Sequence, residues 1–299
     1  MIDLLLVFVG IIALLIGSYT DIQKREVPDS VSYGLIVCGL LLRLLIAIFS
    51  GKWIDFGYEL GWFILFVAIA FLMFYTGQWG GADSKLLMGL GIVFASYPWS
   101  LRTYTGVIPN LSIPFPVTLL FHIFLFGAIY GIIWSLVLAF RGWKSFRETY
   151  FRLSKEKTIS NRIRKLALMC SFIFLFSGLV SMQYDSKIFL LLLSLFVISF
   201  ALLLFLHSLI FAKAVEISCM IKTIPVNKLT EGDWIVEEVK AKGKYICGPK
   251  DLGISMAQIN LLKKNRIKEV LVKEGIPFVP AFLVALIVSL IFGNILFVF

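Results

Sequence analysis

The chain has 299 residues, of which 60% are hydrophobic and 15% are charged, and its mean hydropathy is +0.94. Soluble domains are about 45–50% apolar and about 25% charged, so this composition excludes an ordinary soluble protein and predicts a polytopic membrane protein. The net charge of +10 does not indicate nucleic-acid binding, because the Lys and Arg residues lie in loops between apolar runs, where they determine membrane topology. We therefore expect the lipid bilayer as its surroundings and no nucleic acid as a partner.

Eight apolar runs are long enough, or nearly long enough, to cross about 30 Å of hydrocarbon. We predict membrane helices over residues 2–20, 31–50, 59–76, 84–98, 115–140, 166–183, 188–212 and 279–299. The fourth run is short and rich in glycine. The first run has no Lys or Arg before residue 24 and no small-residue cleavage site, so we interpret it as a membrane helix and not as a removable signal peptide.

The distribution of Lys and Arg predicts the orientation of these helices. Of the 28 basic residues, 24 lie in the segments 21–30, 77–85, 141–165 and 213–277. The loops on the other side hold only Lys52, Arg102 and Lys187. The positive-inside rule therefore places the four basic segments in the cytosol.

The predicted fold is an all-α polytopic membrane protein with about eight membrane helices and a small α+β cytosolic domain before the last helix. We divide it into a membrane core over 1–98, further membrane helices with a basic cytosolic loop at 141–165 over 99–212, the cytosolic domain over 213–277, and a C-terminal membrane helix over 278–299.

Short-range patterns predict the elements of the 213–277 domain. Strands are expected at Lys222–Val226, Trp234–Val239 and Lys268–Lys273, with a turn at Glu231–Gly232. Ser255 is expected to cap a helix over 256–266, whose apolar face holds Met256, Ile259 and either Leu261 or Leu262.

The first of two aspartate motifs follows the first apolar run. It reads Asp21-Ile22-Gln23-Lys24-Arg25-Glu26-Val27-Pro28-Asp29. Some nineteen apolar residues precede Asp21, about 28 Å of helix, so this acid is expected at the membrane surface. An ordinary charged helix end followed by a Pro-Asp turn is the structural alternative.

The second motif opens the fourth apolar run and reads Gly80-Gly81-Ala82-Asp83-Ser84-Lys85. Gly80 and Gly81 allow tight turns and close approach of other groups. The structural alternative is that Asp83 caps a helix. Lys85 is expected either to anchor the helix at the interface or to hold Asp83 in its ionised form.

Acids at a bilayer boundary are costly and usually functional, and two carboxyl groups that meet can share a proton and activate water. The motifs together resemble those of the prepilin peptidase family, membrane aspartyl proteases with a Gly-x-Gly-Asp motif, and above all its archaeal preflagellin peptidase branch. The first motif matches at Asp21, Arg25, Val27, Pro28 and Asp29. The second matches at Gly80, Gly81, Asp83 and Lys85, whereas Ala82 replaces a glycine of the strict motif, which matters only if its φ must be positive.

This resemblance covers residues 1–98 and the segment around Pro277 and Pro280. It implies an aspartic endopeptidase that cleaves prepilin-like or archaellin precursors at the cytosolic face of the cell membrane, with Asp21 and Asp83 as catalytic residues and no cofactor or metal. Glu26 is expected to attract the basic part of the substrate. Pro277 and Pro280 are expected to leave backbone groups available for an extended peptide, although a Pro-initiated helix is the ordinary reading.

The position of each aspartate on its helix predicts its protonation state. Asp21 lies at the negative C-terminal end of a helix, whereas Asp83 lies at a positive N-terminal end. We therefore expect Asp83 to be the ionised base and Asp21 the protonated acid.

Two other classes of protein remain as alternatives. The first is a transporter or channel with acids along an ion path, and the second is an inactive pilus-assembly scaffold. His122 and His207 are expected to be packed, hydrogen-bonded histidines. The four cysteines, at positions 38, 170, 219 and 247, form no Cys-x-x-Cys pair, which argues against a zinc site.

Overall fold

The computed structural model describes residues 2–105, 112–181, 186–241 and 243–295. These residues form a mostly helical protein with a small sheet region before the final helix, which confirms the predicted fold class. The helices are α1 (Ile2–Lys24), α2 (Asp29–Ser50), α3 (Trp53–Tyr75), α4 (Gly81–Val93), α5 (Ser100–Thr105), α6 (Phe115–Arg141), α7 (Trp143–Ser154), α8 (Lys157–Ser181), α9 (Ser186–Val215), α10 (Met256–Lys264) and α11 (Val279–Phe292).

Five of the described helices are long and apolar enough to cross a membrane. They are α1, α2, α3, α6 and the helical stretch Leu190–Met220. α11 is apolar but has 14 residues, and α4 has 13, about 20 Å of helix. The expected count of eight membrane helices therefore stays a prediction, and the ends of the expected runs 166–183 and 279–299 lie outside the described residues.

The described chain divides into two compact units. The first, called here the core unit, comprises residues 1–134 and 224–299, and the second, called here the outer unit, comprises residues 135–223. α6 begins in the core unit and ends in the outer unit. The division of the chain into four regions that we predicted remains a prediction.

α4 lies at the centre of the core unit. Leu86, Leu87 and Leu90 are fully buried, and α2 and α3 pack on both sides of the helix. The backbones come close because α4 has glycine at the contacts: a Cβ atom at Gly89 would lie 2.7 Å from Leu35 Cδ2. A short helix is tolerated at membrane depth when protein surrounds it, because its unpaired backbone groups then find protein partners.

The end of α4 is closed by a buried ion pair. The Arg43 guanidinium, 4% exposed, lies 2.6 Å from Glu59 Oε1. It also donates hydrogen bonds to the carbonyl oxygens of Ile92 and Val93, at 3.3 and 2.7 Å, and to Ser96 Oγ at 2.7 Å. Arg43 therefore satisfies the last carbonyls of α4, which lack partners within the helix.

The small domain, most of which belongs to the core unit, follows the sequence prediction closely. Its strands are β1 (Ile221–Pro225), β2 (Trp234–Ile235), β3 (Val239–Ala241), β4 (Lys244–Cys247) and β5 (Glu269–Lys273). One sheet has the order β1-β5-β2, with Trp234 opposite Lys273, and β3 pairs with β4. The predicted long strand Trp234–Val239 is two separate short strands.

The capped helix of this domain is confirmed. Ser255 and Gln258 form a capping box at the start of α10. Ile259 and Leu262 are buried in the domain core, whereas Met256 is 52% exposed and Leu261 45% exposed. The expected apolar face was therefore right at Ile259 and Leu262 and wrong at Met256, whose side chain is more than half exposed.

The outer unit is built around the antiparallel pair α8 and α9. The pair is joined by the buried contact between Cys170 Sγ and Ser199 Oγ, 3.3 Å apart, and by the rings of Phe174 and Phe196. α7 packs on α9 through Phe146, whose ring centroid lies 5.3 Å from that of Phe211. Most of the basic segment 141–165 is thus helical, and its buried Phe146 packs on α9.

Candidate functional site

Asp21 is buried near the end of α1, with 7% of its surface exposed. Its Oδ2 atom accepts a hydrogen bond of 3.0 Å from the backbone N–H of Val279. This N–H is one of the donors that the first turn of α11 cannot use internally. Asp21 therefore caps α11 from another helix, a contact between residues 258 positions apart in the chain.

Asp83 lies in the first turn of α4. The backbone of Gly80, the residue that precedes the helix, donates a hydrogen bond to its carboxyl group. The charge of Asp21 acts on Asp83, so the structure brings the two predicted acids into one site although they belong to separate motifs. α1 and α4 pack against each other, which is how the two carboxyl groups come together.

Lys85 does not pair with Asp83. Its Nζ atom lies 2.6 Å from Asp29 Oδ1 and 4.8 Å from the centre of the Tyr33 ring. The observed pair with Asp29 does not support the expectation that Lys85 holds Asp83 ionised, which stays a prediction. Lys85 instead joins the second motif to the first one, because Asp29 is the last residue of that motif.

Arg25 and Pro28 shape the turn between α1 and α2. Arg25 has φ +59° and its N–H donates to the Asp21 carbonyl at 2.9 Å, which ends α1. Its guanidinium donates to the Gly275 carbonyl oxygen at 3.0 Å. Pro28 precedes the first residue of α2, where a missing N–H costs nothing. Arg25 thus ties the segment that carries Asp21 to the segment that leads into α11, and Pro28 starts α2.

The glycines of the second motif leave space near Asp83. Gly80 has φ −70° and ψ 165°, so its backbone is open to any residue. A Cβ atom there would lie 3.6 Å from Asp83 Oδ2, and one at Gly81 would lie 3.7 Å from Phe74. Ala82 is not among the described residues with positive φ. Alanine at position 82 is therefore compatible with the turn, and Gly80 keeps the carboxyl group open.

Pro277 and Pro280 lie on either side of the Asp21 contact. Pro277 is buried, and Pro280 is the second residue of α11. Because Pro280 has no N–H, the first turn of α11 offers fewer donors than usual. The backbone N–H of Val279 is already bonded to Asp21, so it is not available to a substrate peptide. This favours the interpretation that the prolines start the helix. Their expected role in substrate binding remains a prediction.

Glu26 lies near an acid of the small domain, Asp233, that the sequence did not connect with it. The charges of Glu26 and Glu274 both act on Asp233, a residue of the small domain. Burial raises the pKa of Asp233, and these two charges raise it further, whereas the Thr230 N–H, 2.8 Å from its Oδ2 atom, lowers it. The small domain therefore adds an acidic side chain to the region around the first motif.

Aromatic residues of α6 flank the site and were not predicted. The Arg25 guanidinium lies 5.2 Å from the Trp134 ring, which stacks on Tyr130 at 5.8 Å, and the charge of Asp21 acts on Tyr130. On the other side, Trp79 packs against Phe278 at 5.6 Å. No local motif marks these positions, because an aromatic residue in an apolar helix has the same pattern whether it faces lipid or a site.

The two histidines differ in their hydrogen bonding. His122 is fully buried, with Nδ1 2.7 Å from Ser289 Oγ, which confirms a packed, hydrogen-bonded histidine. The Nδ1 atom of His207 has no partner among the described residues. Within the same residues, no three His, Cys, Asp or Glu side chains converge in a group that could hold a metal ion.

Fold and site together define a polytopic membrane protein with a pair of interacting carboxyl groups held at the ends of two helices. Residues 8–136 match the type IV leader peptidase family. The resemblance inferred from the two aspartate motifs is thereby confirmed for this part of the chain, which includes both acids.

Individual relatives agree with this match. The chain is 32% identical over 133 residues to a preflagellin peptidase of Methanococcus voltae, covering 44% of this chain and 56% of the relative. It is 33% identical over 138 residues to a preflagellin peptidase of Methanocaldococcus jannaschii, covering 46% and 58%. It is 30% identical over 126 residues to a prepilin peptidase of Methanothermobacter thermautotrophicus, covering 40% and 32%.

The chain thus spans little more than half the length of the first two relatives. No solved structure gives a significant match to it.

Proposed function

We propose that this chain is a membrane aspartic endopeptidase that cleaves prepilin-like or archaellin precursors at the cytosolic face of the cell membrane. The observation that carries the proposal is that Asp21 and Asp83, from two separate motifs, interact electrostatically, with Asp21 buried. The family match and the names of the relatives support the reaction and the class of substrate.

The two carboxyl groups divide the work of hydrolysis. The ionised carboxylate takes a proton from the attacking water, and the protonated carboxyl group donates a hydrogen bond to the scissile carbonyl oxygen. The acid's proton passes to the carbonyl oxygen as the water oxygen bonds to the carbonyl carbon, which gives a gem-diol and reverses the protonation of the pair. As the carbon–nitrogen bond breaks, the proton taken from water passes to the leaving amine nitrogen and the other carboxylate accepts a hydroxyl proton from the gem-diol, so the pair regains its starting state. Two like charges in close contact are unfavourable, so one shared proton is the resting state.

We assign the ionised state to Asp21 and the proton to Asp83, the reverse of the assignment from helix ends alone. Asp21 accepts the Val279 N–H at the positive end of α11, and the charge of Arg25 acts on it. Hydrogen bonds and a nearby cation stabilise an ionised carboxylate. Asp83 has the Gly80 donor, and the nearby cation Lys85 pairs with Asp29.

Infrared difference spectroscopy on carboxyl variants tests this assignment. The band of the protonated carboxyl group is expected to persist in Asp21→Asn and to disappear in Asp83→Asn. The opposite pattern would show that Asp21 is the protonated residue. Because the pair titrates as a unit, the spectra report its dominant microstate.

The acids around the first motif suit a substrate with a basic segment before its apolar helix. The charges of Glu26 and Glu274 both act on Asp233, and the three acids come from the α1–α2 turn, the segment before α11 and the small domain. A basic peptide segment would be attracted to this region. The substrate must be extended at the cut, since a helix uses its own amides.

The alternatives are less well supported. Acids on an ion path usually lie deep in the bilayer, whereas Asp21 and Asp83 lie at the ends of α1 and α4. An inactive scaffold would not require two interacting carboxyl groups. Neither alternative accounts for the match of residues 8–136 to a leader peptidase family.

A cleavage assay on membranes with a prepilin-like precursor tests the proposal. Asp21→Asn and Asp83→Asn are each expected to lower turnover by at least about 10²-fold, the usual contribution of an acid or base. Asp55→Asn, on the exposed start of α3, is the matched control and is expected to cleave normally. Turnover at the control rate in either site variant, with the protein folded and inserted, would remove that residue from the reaction.

A further inference from the structure

A groove runs along the surface of the outer unit between α8 and α9. Its volume is about 350 Å³. It is lined by Arg162, Lys165, Leu166, Leu202, Phe205, Leu206 and Leu209. The lining thus combines two cations with five apolar side chains, which is an amphipathic composition.

Helical spacing places these side chains on facing stripes. Leu202, Phe205, Leu206 and Leu209 are separated by three or four residues, so they lie along one side of α9 over about 10 Å. Arg162, Lys165 and Leu166 form the corresponding stripe near the start of α8. The groove therefore has a charged wall on α8 and an apolar wall on α9.

The charge of the groove is not neutralised by neighbouring acids. Residues 141–165 contain nine Lys and Arg residues against two Glu residues. Within the described part of the chain, neither Arg162 nor Lys165 forms an ion pair with a carboxylate. Both side chains are exposed, so they are available to an anion that also presents apolar chains to α9.

We infer that this groove binds a single anionic phospholipid of the leaflet that contacts the basic segment. The phosphate lies against Arg162 and Lys165, because a guanidinium donates paired hydrogen bonds to phosphate and an ammonium adds a compact charge. One acyl or alkyl chain lies along Leu206 and its neighbours on α9. The match of charge to headgroup and of apolar wall to chain identifies a lipid and not a soluble anion as the occupant.

A second copy of the chain fits this groove less well. Self-association about a two-fold axis brings the same surface of both copies together. It would place two basic segments with the same net charge at one membrane surface. Like charges facing each other oppose such a contact.

Native mass spectrometry of the purified full-length chain, with phosphatidylglycerol or phosphatidylcholine added, tests the inference. We expect the wild type to retain one phosphatidylglycerol after partial delipidation and to retain phosphatidylcholine much more weakly. Arg162→Gln/Lys165→Gln is expected to weaken phosphatidylglycerol retention by between tenfold and a hundredfold, from the loss of two basic side chains near an anionic lipid. Leu206→Trp, which fills the apolar wall without changing charge, is expected to weaken it as well.

Two matched variants control for general effects. Arg152→Gln/Lys155→Gln removes two charges from the same basic segment outside the groove, and Leu204→Trp adds the same ring on the exposed side of α9. Both are expected to retain the lipid. The inference would be overturned if the groove and control variants retained phosphatidylglycerol equally, or if the wild type retained both lipids equally. It would also be overturned if the wild type were a dimer and Leu206→Trp a monomer, because a second copy would then occupy the groove.

Discussion

The two ends of α4 differ in how completely their polar groups are satisfied. At the end, Arg43 contacts Glu59, the carbonyl oxygens of the last turn and Ser96. At the start, Asp83 interacts with a second acid and has the Gly80 backbone as its donor. One end is a closed network of opposite charges, whereas the other holds two like charges close together.

The Arg43 end of α4 therefore stabilises the fold, whereas the Asp83 end is suited to a reaction. A buried cation with a matched carboxylate contributes to stability only as long as both partners remain. Two neighbouring carboxyl groups oppose folding unless they share a proton, so their presence indicates a use in a reaction. Variants at the two ends of α4 should therefore fail in different ways.

The largest expected effect is a loss of stability at the C-terminal end of α4, where Arg43 and Glu59 pair. Arg43→Leu would leave Glu59 buried without its partner, at a cost of about 3–5 kcal/mol in the free energy of unfolding. The double variant Arg43→Leu/Glu59→Leu is expected to recover part of that loss. The thermal unfolding midpoint in detergent measures both.

The exposed Arg102 provides the matched control for this prediction. Arg102→Gln is expected to unfold like the wild type, because it removes a positive charge from outside the buried network. An Arg43→Leu protein as stable as Arg102→Gln would show that the closed end of α4 does not depend on the ion pair.

The next effect is expected at the N-terminal end of α4, near Asp83, and it concerns activity and not stability. Gly80→Ala places a methyl group about 3.6 Å from Asp83 Oδ2, in contact but without a clash. We expect normal folding and a decrease in cleavage of between about tenfold and a hundredfold, since small misplacements of reacting groups have effects of this size.

Gly34→Ala is the control for the glycine substitution, because a Cβ atom there meets no other atom within 4 Å. Its activity and unfolding midpoint are expected to match those of the wild type. If Gly80→Ala cleaved the precursor at the control rate, the space above Asp83 would have no role in the reaction.

A smaller effect is expected for the ion pair that joins the two motifs. Lys85 and Asp29 are 29% and 68% exposed, and exposed pairs contribute about 0–1 kcal/mol. We expect Lys85→Ala and Asp29→Ala each to lower cleavage severalfold, with the double variant no worse than either single one. Additive losses in this double-mutant cycle would mean that the two residues act separately.

The smallest expected effect concerns the pH dependence of the small domain. Burial raises the pKa of Asp233 in the folded protein, so its ionised form is less favourable there than in the unfolded chain. This cost is present above the raised pKa and vanishes below the ordinary value of about 4, where both states are protonated. Asp233→Asn should therefore raise stability slightly at pH 7 to 8, within about 1 kcal/mol.

Unfolding midpoints measured between pH 4 and pH 8 check this prediction. The advantage of Asp233→Asn is expected to shrink as the pH falls. Glu237→Gln, an exposed change of equal charge in the same domain, is expected to show no such trend. An advantage that grows toward acid pH would have the wrong sign for a buried acid.

Much of the local structure was accessible from sequence patterns. Long apolar runs require helices in a bilayer because backbone groups must be satisfied internally, and α1, α2 and α3 follow those runs. Ser255 and Gln258 form the predicted cap because the capping box depends only on residues three positions apart. Asp21 and Asp83 were singled out because acids next to apolar runs are rare.

Tertiary structure decided which of these residues meet. The sequence placed Lys85 two positions from Asp83, yet its side chain extends to Asp29, since neighbours in a helix separated by two residues point in different directions. It placed Asp21 at a negative helix end, yet α11 supplies a positive one through Val279. Such partners lie tens to hundreds of residues apart in the chain, so only the packing of the helices determines them.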